Sequence, residues 1–199
     1  MKNFTDRVAV VTGAAGGIGR AICIELARRG SHIAAVDVDE DGLAEVRGQV
    51  EALGRNCSVH MVDVSDRAQM EALPEEVIAE HGAVHILVNN AGVSVNLSFR
   101  EQDLEDLEWI TGINYWGVIY GCKFFLPHLL EADEAHIVNI SSSAGFIGMK
   151  WQTSYSATKF AVTGFSESLY VELSNTNVGI TCVHPGAVAT NILGAARMD

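Results

Sequence analysis

The chain has 199 residues, 48% of them apolar and 19% charged, a mixture that supports one globular domain with a sizeable core and excludes disorder. Thirteen Lys and Arg against 25 Asp and Glu give a formal net charge of -12. Such a field repels phosphate backbones and anionic lipid surfaces, so nucleic acid and membrane are excluded as main partners.

The N-terminal MKNFTDRVAVVTG reaches Asp6 and Arg7 before any apolar run, unlike a signal peptide. No stretch of about 20 uninterrupted apolar residues occurs, so no membrane-spanning helix is expected. The cysteines Cys23, Cys57, Cys122 and Cys182 stand alone, without CxxC pairs or histidines at metal-ligand spacing. Reduced, mostly buried thiols in a cytoplasmic protein without a metal site are expected.

Strand-like and helix-like segments alternate from end to end. Residues 7–12, 32–37, 57–62, 84–89, 136–141 and 178–184 are short and nearly continuous in apolar character, as strands buried on both faces of a parallel sheet are. Leu43, Val46, Val50 and Leu53 repeat at helical spacing, and so do Met70, Leu73 and Val77. A long helical segment, straight or bent, is predicted over 104–130, ended by Pro127 and its neighbours. A second covers 154–173, with Phe160, Gly164, Phe165 and Leu169 at helical spacing. The alternation predicts an α/β fold: a doubly wound, Rossmann-like parallel sheet in three αβα layers, forming a single domain over 1–199.

The first strand runs into Gly13-Ala-Ala-Gly-Gly-Ile-Gly19. Glycines there let the backbone turn tightly and approach a pyrophosphate, whose charge meets the free N–H groups of the following helix. Asp37 ends the second strand, about 20 residues on, where a dinucleotide fold places a carboxylate for the ribose hydroxyls. That carboxylate would repel the extra phosphate of NADP. Position 38 is Val and position 16 is Gly, so neither supplies a compensating cation.

Tyr155 and Lys159 lie four residues apart on one face of a predicted helix. A cation about 4 Å from a phenol is worth on the order of 4 kcal/mol at an effective dielectric near 20. That corresponds to a drop of roughly 3 pKa units, enough to ready a tyrosine for proton transfer near neutral pH. An exposed helical Tyr/Lys pair with no function is the competing explanation for these two residues alone.

Thr12-Gly13-x-x-x-Gly17-x-Gly19, Asp63-Val64, Asn89-Asn90-Ala91-Gly92, Asn114, Ser142, Tyr155-x-x-x-Lys159 and Pro185-Gly186-x-Val188-x-Thr190 occur in one order along the chain. This set resembles the short-chain dehydrogenase/reductase family in its compact NAD(P)-dependent branch, across essentially all of the sequence. Gly13, Gly16 and Gly19 alone also fit the spacing of an epimerase-like branch; Asn-Asn-Ala-Gly and the short chain favour the compact one.

The resemblance implies roles. Tyr155 would be the acid/base, and Lys159 would lower its pKa and hold the nicotinamide ribose. Ser142 would stabilise charge on the substrate oxygen, and Asn114 would keep a water in a relay to Lys159. Ser141 and Ser143 flank Ser142, and spacing alone does not choose among them. NAD would be bound by Gly13, Gly17, Ile18, Gly19, Asp37, Asp63, Val64, Asn90, Ala91, Gly92, Tyr155, Lys159, Pro185, Gly186, Val188 and Thr190. Family members continue past the equivalent of Asp199, so a longer natural chain with a lid and a further edge strand is expected.

Phe146, Ile147, Met149, Trp151, Val188, Ile192 and Leu193 suggest an apolar substrate, with ordinary loop packing as the alternative. The expected activity is hydride transfer between NAD(H) and a hydrophobic secondary alcohol or ketone. A non-catalytic NAD-binding scaffold and an epimerase or dehydratase on the same fold are the competing outcomes. The resemblance also implies a homodimer or homotetramer, to which Trp116, Tyr120 and Phe124 at four-residue steps would contribute, with ordinary core packing as the other explanation of those steps.

Overall fold

The computed structural model describes Met1 and residues 3–186. Val8–Thr12 (β1), His32–Asp37 (β2), Cys57–Met61 (β3), Ile86–Asn89 (β4), Ala135–Ile140 (β5) and Val178–Val183 (β6) pair in parallel in the order β3-β2-β1-β4-β5-β6. That is the doubly wound arrangement, and its order reverses between β1 and β4. The intervening helices are Gly17–Arg28 (α1), Glu40–Glu51 (α2), Arg67–His81 (α3), Leu104–Thr111 (α4), Gly117–Glu131 (α5) and Thr153–Glu172 (α6).

Alternate strand residues feed two cores. Val8, Val10, Ala34 and Val36 face Met70, Leu73 and Val77 of α3, Phe125 and Leu129 of α5, and Val162 and Leu169 of α6. Ala9, Val11, Ile33 and Ala35 face Cys23 and Ala27 of α1 and Leu43, Val46 and Val50 of α2. The period-2 geometry of a strand sends neighbouring side chains to opposite faces, which produces the three-layer sandwich. Cys23, Cys57 and Cys122 are buried, Cys182 is half-buried, and all four are unpaired.

The predicted strands survive with small trims. Val62 and Ser141 fall outside the assigned strands, yet Val62 N still donates to Asp37 O at 3.1 Å and Ser141 N to Val183 O at 2.8 Å. Leu53 is 40% exposed because α2 ends at Glu51, before its turn of the stripe. Phe160 is also exposed, since α6 presents Thr158, Val162, Thr163 and Ser166 inward instead.

The long segment from Leu104 departs most from expectation. A π-turn over Gly112–Trp116 divides it into α4 and α5, and Pro127 lies inside α5 rather than ending it. Proline there removes one N–H bond near the helix end, while Phe125 and Leu129 are fully buried on either side. The end itself is capped from outside: Asn177 Nδ2 donates to Leu129 O at 2.8 Å and Ala132 O at 2.7 Å.

A polar seam runs through the core on the α5 and α6 side. Asn89 Nδ2 donates to Asn139 Oδ1 at 2.8 Å, and Asn139 Nδ2 donates to Ser166 Oγ at 3.0 Å. Gly121 lets α5 approach this seam, since a Cβ there would overlap the Asn89 amide. Gly121→Ala is therefore expected to destabilise the fold by about 1–3 kcal/mol. Gly48→Ala, on the exposed face of α2 with no atom within 4 Å of the new Cβ, should instead add up to about 1 kcal/mol. Urea unfolding of the two variants checks the contrast.

Candidate active site

A cleft of about 620 Å³ opens at the C-terminal ends of the strands, where the strand order reverses. Gly13, Gly17, Ile18, Asp37, Asp63, Val64, Asn90, Ala91, Gly92, Ser142, Tyr155, Lys159, Pro185 and Gly186 all line it. Gly19 and Asn114 stand behind the lining, and Val188, Thr190, Ile192 and Leu193 lie outside the described residues.

The glycine-rich turn is built around close approach. Gly13 has φ +65°, and a Cβ there would lie 2.8 Å from both Ala91 Cα and Asn90 Nδ2. A Cβ on Gly19 would overlap the Gly13 carbonyl. Asn90 fastens the turn by donating from Nδ2 to Thr12 O at 2.9 Å and Gly13 O at 3.1 Å. Thr12 Oγ1 accepts from Asn90 N and Ala91 N, both at 3.0 Å. The Asn-Asn-Ala-Gly segment thus braces the turn as well as facing the cleft.

Helices α2, α3 and α4 each begin with an aspartate that accepts a bond from a backbone N–H. Helix α1 does not: its first cap residue is Gly16, no side chain caps it, and its first turn carries no acid. A Cβ at Gly16 would meet nothing within 4 Å. Uncapped N–H groups beside open space at a helix N-terminus fit a pyrophosphate. Asp37 is held ready, with Oδ2 accepting from Ala15 N at 2.9 Å and Oδ1 from Val38 N at 2.7 Å. Asp63 Oδ1 accepts from Ser65 N at 2.9 Å and Ser65 Oγ at 2.7 Å, which fixes its carboxylate at the same rim. These residues fit a dinucleotide.

Three successive residues at the end of β5 meet α6. The Ile140 carbonyl accepts from Lys159 Nζ at 2.9 Å. Ser141 Oγ donates to Lys159 O at 2.9 Å. The Ser142 hydroxyl is close enough to the Tyr155 phenol to favour its ionised form. Among the three serines left open by spacing, Ser142 is the one that acts on that phenol; Ser141 is buried against α6, and Ser143 begins a 3-10 turn over Ser143–Gly145.

Asn114 is fully buried in the π-turn. Its Oδ1 accepts from Val93 N at 2.8 Å and its Nδ2 donates to Val93 O at 3.0 Å, so it holds the loop after β4. Nδ2 also reaches Thr158 Oγ1 at 3.2 Å, on α6 between Tyr155 and Lys159. A Cβ at Gly92 would lie 3.3 Å from Asn114 Oδ1 and 3.5 Å from Lys159 Nζ, so these two side chains converge on one glycine.

The electrostatics differ from the sequence expectation. Burial, opposed by the Ser142 hydroxyl, pushes the Tyr155 phenol above the ordinary tyrosine value. Lys159 Nζ sits 5.7 Å from the Tyr155 ring centroid. Lys159 is itself shifted down to about 8, because burial penalises its ammonium. In the chain alone, desolvation is the dominant influence on the phenol.

Phe146, Ile147, Met149 and Trp151 do not line the cleft but stand exposed beside it. The Phe146 ring stacks on His184 at 3.9 Å, and His184 Nδ1 lies 3.1 Å from Ser142 O, which makes this histidine a buttress of the β5 end. Val93, Trp109 and Ile113 form an apolar part of the lining that periodicity does not reveal.

The family profile described as short chain dehydrogenase matches residues 7–199, and the chain belongs to that family. An oxidoreductase designated SadH from Mycobacterium tuberculosis is 41% identical over 194 residues, covering 96% of this chain and 70% of that protein. A short-chain dehydrogenase/reductase from Burkholderia phymatum, crystallised in complex with NAD, superposes with a TM-score of 0.95 at 37% identity, covering 98% of this chain and 70% of that one. A short-chain dehydrogenase from Mycobacterium paratuberculosis bound to NAD gives a TM-score of 0.93 at 31% identity, covering 98% and 77%. No helix among the described residues is long and apolar enough to cross a membrane.

The lysine shift carries a stability consequence. Below about pH 8 the folded protein holds a charge that burial disfavours, whereas the unfolded chain holds it freely. Lys159→Met should therefore be more stable than the parent at pH 7, by up to about 3 kcal/mol. Between pH 8 and about 10 the parent loses this proton only when folded, so its disadvantage shrinks as pH rises. Urea midpoints of both proteins, compared across that range, check the difference.

Proposed function

We propose that this protein transfers hydride between NAD(H) and a secondary alcohol or ketone, with Tyr155 as the proton donor and acceptor. The observation that carries the reading is one cleft holding both an uncapped helix N-terminus beside Asp37 and the Ser142–Tyr155–Lys159 group. When bound, the dinucleotide supplies the carbon that takes or gives the hydride.

Gly13, Gly17, Ile18 and Gly19 shape the pyrophosphate seat, and Asp37 accepts from the adenosine ribose hydroxyls. Asp63 and Val64, with Asn90, Ala91 and Gly92, would hold the adenosine side. Pro185 and Gly186 would hold the nicotinamide end, and Val188 and Thr190 follow them in sequence. NAD in the Burkholderia phymatum and Mycobacterium paratuberculosis structures supports the choice of dinucleotide.

Ser142 donates to the substrate oxygen and stabilises charge developing there. Tyr155, protonated at neutral pH because burial raises its pKa, gives its proton to that oxygen in ketone reduction. In alcohol oxidation it takes the proton back, so that direction speeds up as pH rises. Lys159 holds its ammonium beside the phenol and the ribose, and Asn114 Oδ1 keeps a lone pair beyond Val93 N for a relay water. Val93, Trp109 and Ile113, with the exposed apolar lip, favour an apolar substrate. Trp116 at the end of the π-turn stacks on Tyr120 of α5 at 5.6 Å, and Tyr120 on Phe124 at 6.0 Å, with Trp116 46% exposed, which supports self-association as a homodimer or homotetramer.

Tyr155→Phe should bind NADH with near-parent affinity and lose turnover by a factor on the order of 10²–10⁴ in a ketone panel followed at the NADH absorbance. A variant that retains near-parent turnover removes the tyrosine from this role, and a parent that binds NADH but reduces no ketone leaves a scaffold. Asp37→Ala should erode the preference for NAD over NADP by about tenfold or more, read as the ratio of Kd values from fluorescence titration. A parent that already prefers NADP contradicts the assignment of Asp37.

A further inference from the structure

We propose that Ser141 is a positioning residue: its hydroxyl clamps the turn of α6 that carries Lys159 to the end of β5 that carries Ser142. The inference rests on the roles given above to Tyr155 and Lys159.

The β5 end grips Lys159 at both of its ends. Ile140 O holds the ammonium and Ser141 Oγ holds the main-chain carbonyl, each at 2.9 Å. Thr163, one turn further along α6, lies 2.9 Å from the same carbonyl through Oγ1 and 3.0 Å from Ser141 Oγ. Two hydroxyl protons serve these three contacts, so one bridges the hydroxyls or both converge on Lys159 O. The knot is dry: Ser141 is 2% and Thr163 8% exposed. Gly145 closes over it, because a Cβ there would lie 2.5 Å from Ser141 Oγ, 2.8 Å from Thr163 Oγ1 and 2.9 Å from Lys159 O.

Burial makes this knot a device for placement rather than for general cohesion. A helical carbonyl already has its backbone partner, so two added hydroxyls contribute little to the helix itself. They connect α6 to β5 at the one turn where a sub-ångström slide separates the ammonium from Ile140 O and the phenol from Ser142. A misplacement of about 1 Å in a catalytic group can lower turnover about a hundredfold. Gly145 belongs to the same device, since it keeps the turn after Ser142 in contact with the knot.

The test reads Lys159 directly. The chain has lysines only at positions 2, 123, 150 and 159, so 13Cε-lysine spectra resolve and assign each one. In the parent, Lys159 should titrate near 8. Ser141→Ala frees the turn and lets water reach the ammonium, which should raise the Lys159 midpoint by about half a pH unit or more, with Lys123 and Lys150 unmoved. The same variant should lose turnover about tenfold or more with NADH and a panel of apolar ketones, at an NADH Kd within about twofold of the parent. Thr163→Val should act in the same direction, and Thr163→Ser, which keeps the hydroxyl, should restore parent behaviour. If Ser141→Ala does not fold, the Thr163 pair decides on the same readout. Folded Ser141→Ala and Thr163→Val proteins whose Lys159 titrates as in the parent would overturn the clamp. A parent that reduces no ketone would sink the proposed function instead and leave the lysine titration to judge the clamp alone.

Discussion

One buried ammonium organises this site. Lys159 is held out of water at the end of β5, and burial pulls it far enough down to titrate near 8. An isolated charge in such a place is strongly disfavoured, so its neighbours must be fixed to accept it. Ile140 O does so directly, and Asn114 approaches the same point across Gly92. The arrangement exchanges folding stability for a charge kept beside the Tyr155 phenol and the cleft.

The fold supplies this placement through its sheet. Parallel strands end together on one edge, and the reversal of order between β1 and β4 opens a crevice there. Asn90 and Ala91 after β4 brace the glycine-rich turn after β1, while Ile140 at the end of β5 and Ser141 just after it brace α6. The glycine-rich turn and the Ser142–Tyr155–Lys159 group are therefore built on adjacent strands of one sheet. The π-turn that carries Asn114 inserts a wide turn where two straight helical segments would otherwise run on, and such turns recur at functional sites.

Much of this was legible in the sequence, for reasons that differ by element. The six strands were readable because strands buried on both faces are continuously apolar, and Asp37, Tyr155 and Lys159 because their spacing has a chemical use. The π-turn was not, since Gly112–Trp116 keeps a helical pattern and only packing selects the wider turn. Pro127 misled because its place within a turn of the helix end makes its lost bond tolerable. Choosing among Ser141, Ser142 and Ser143 needed three dimensions, because a strand end sends successive side chains in different directions. The phenol's upward shift was also hidden: spacing gives the partner's distance roughly but gives nothing about desolvation. The stretch holding Val188 and Thr190 lies outside the described residues.

The sharpest test is the Tyr155 phenol itself, observed by 13Cζ-tyrosine NMR in a chain with four tyrosines, with and without saturating NAD+. The account predicts titration above the ordinary tyrosine value in the free protein and a fall of about 2 units or more once the oxidised dinucleotide is bound beside it. A phenol that titrates identically in both states would show that no dinucleotide charge reaches it, and the catalytic reading of the cleft would be wrong.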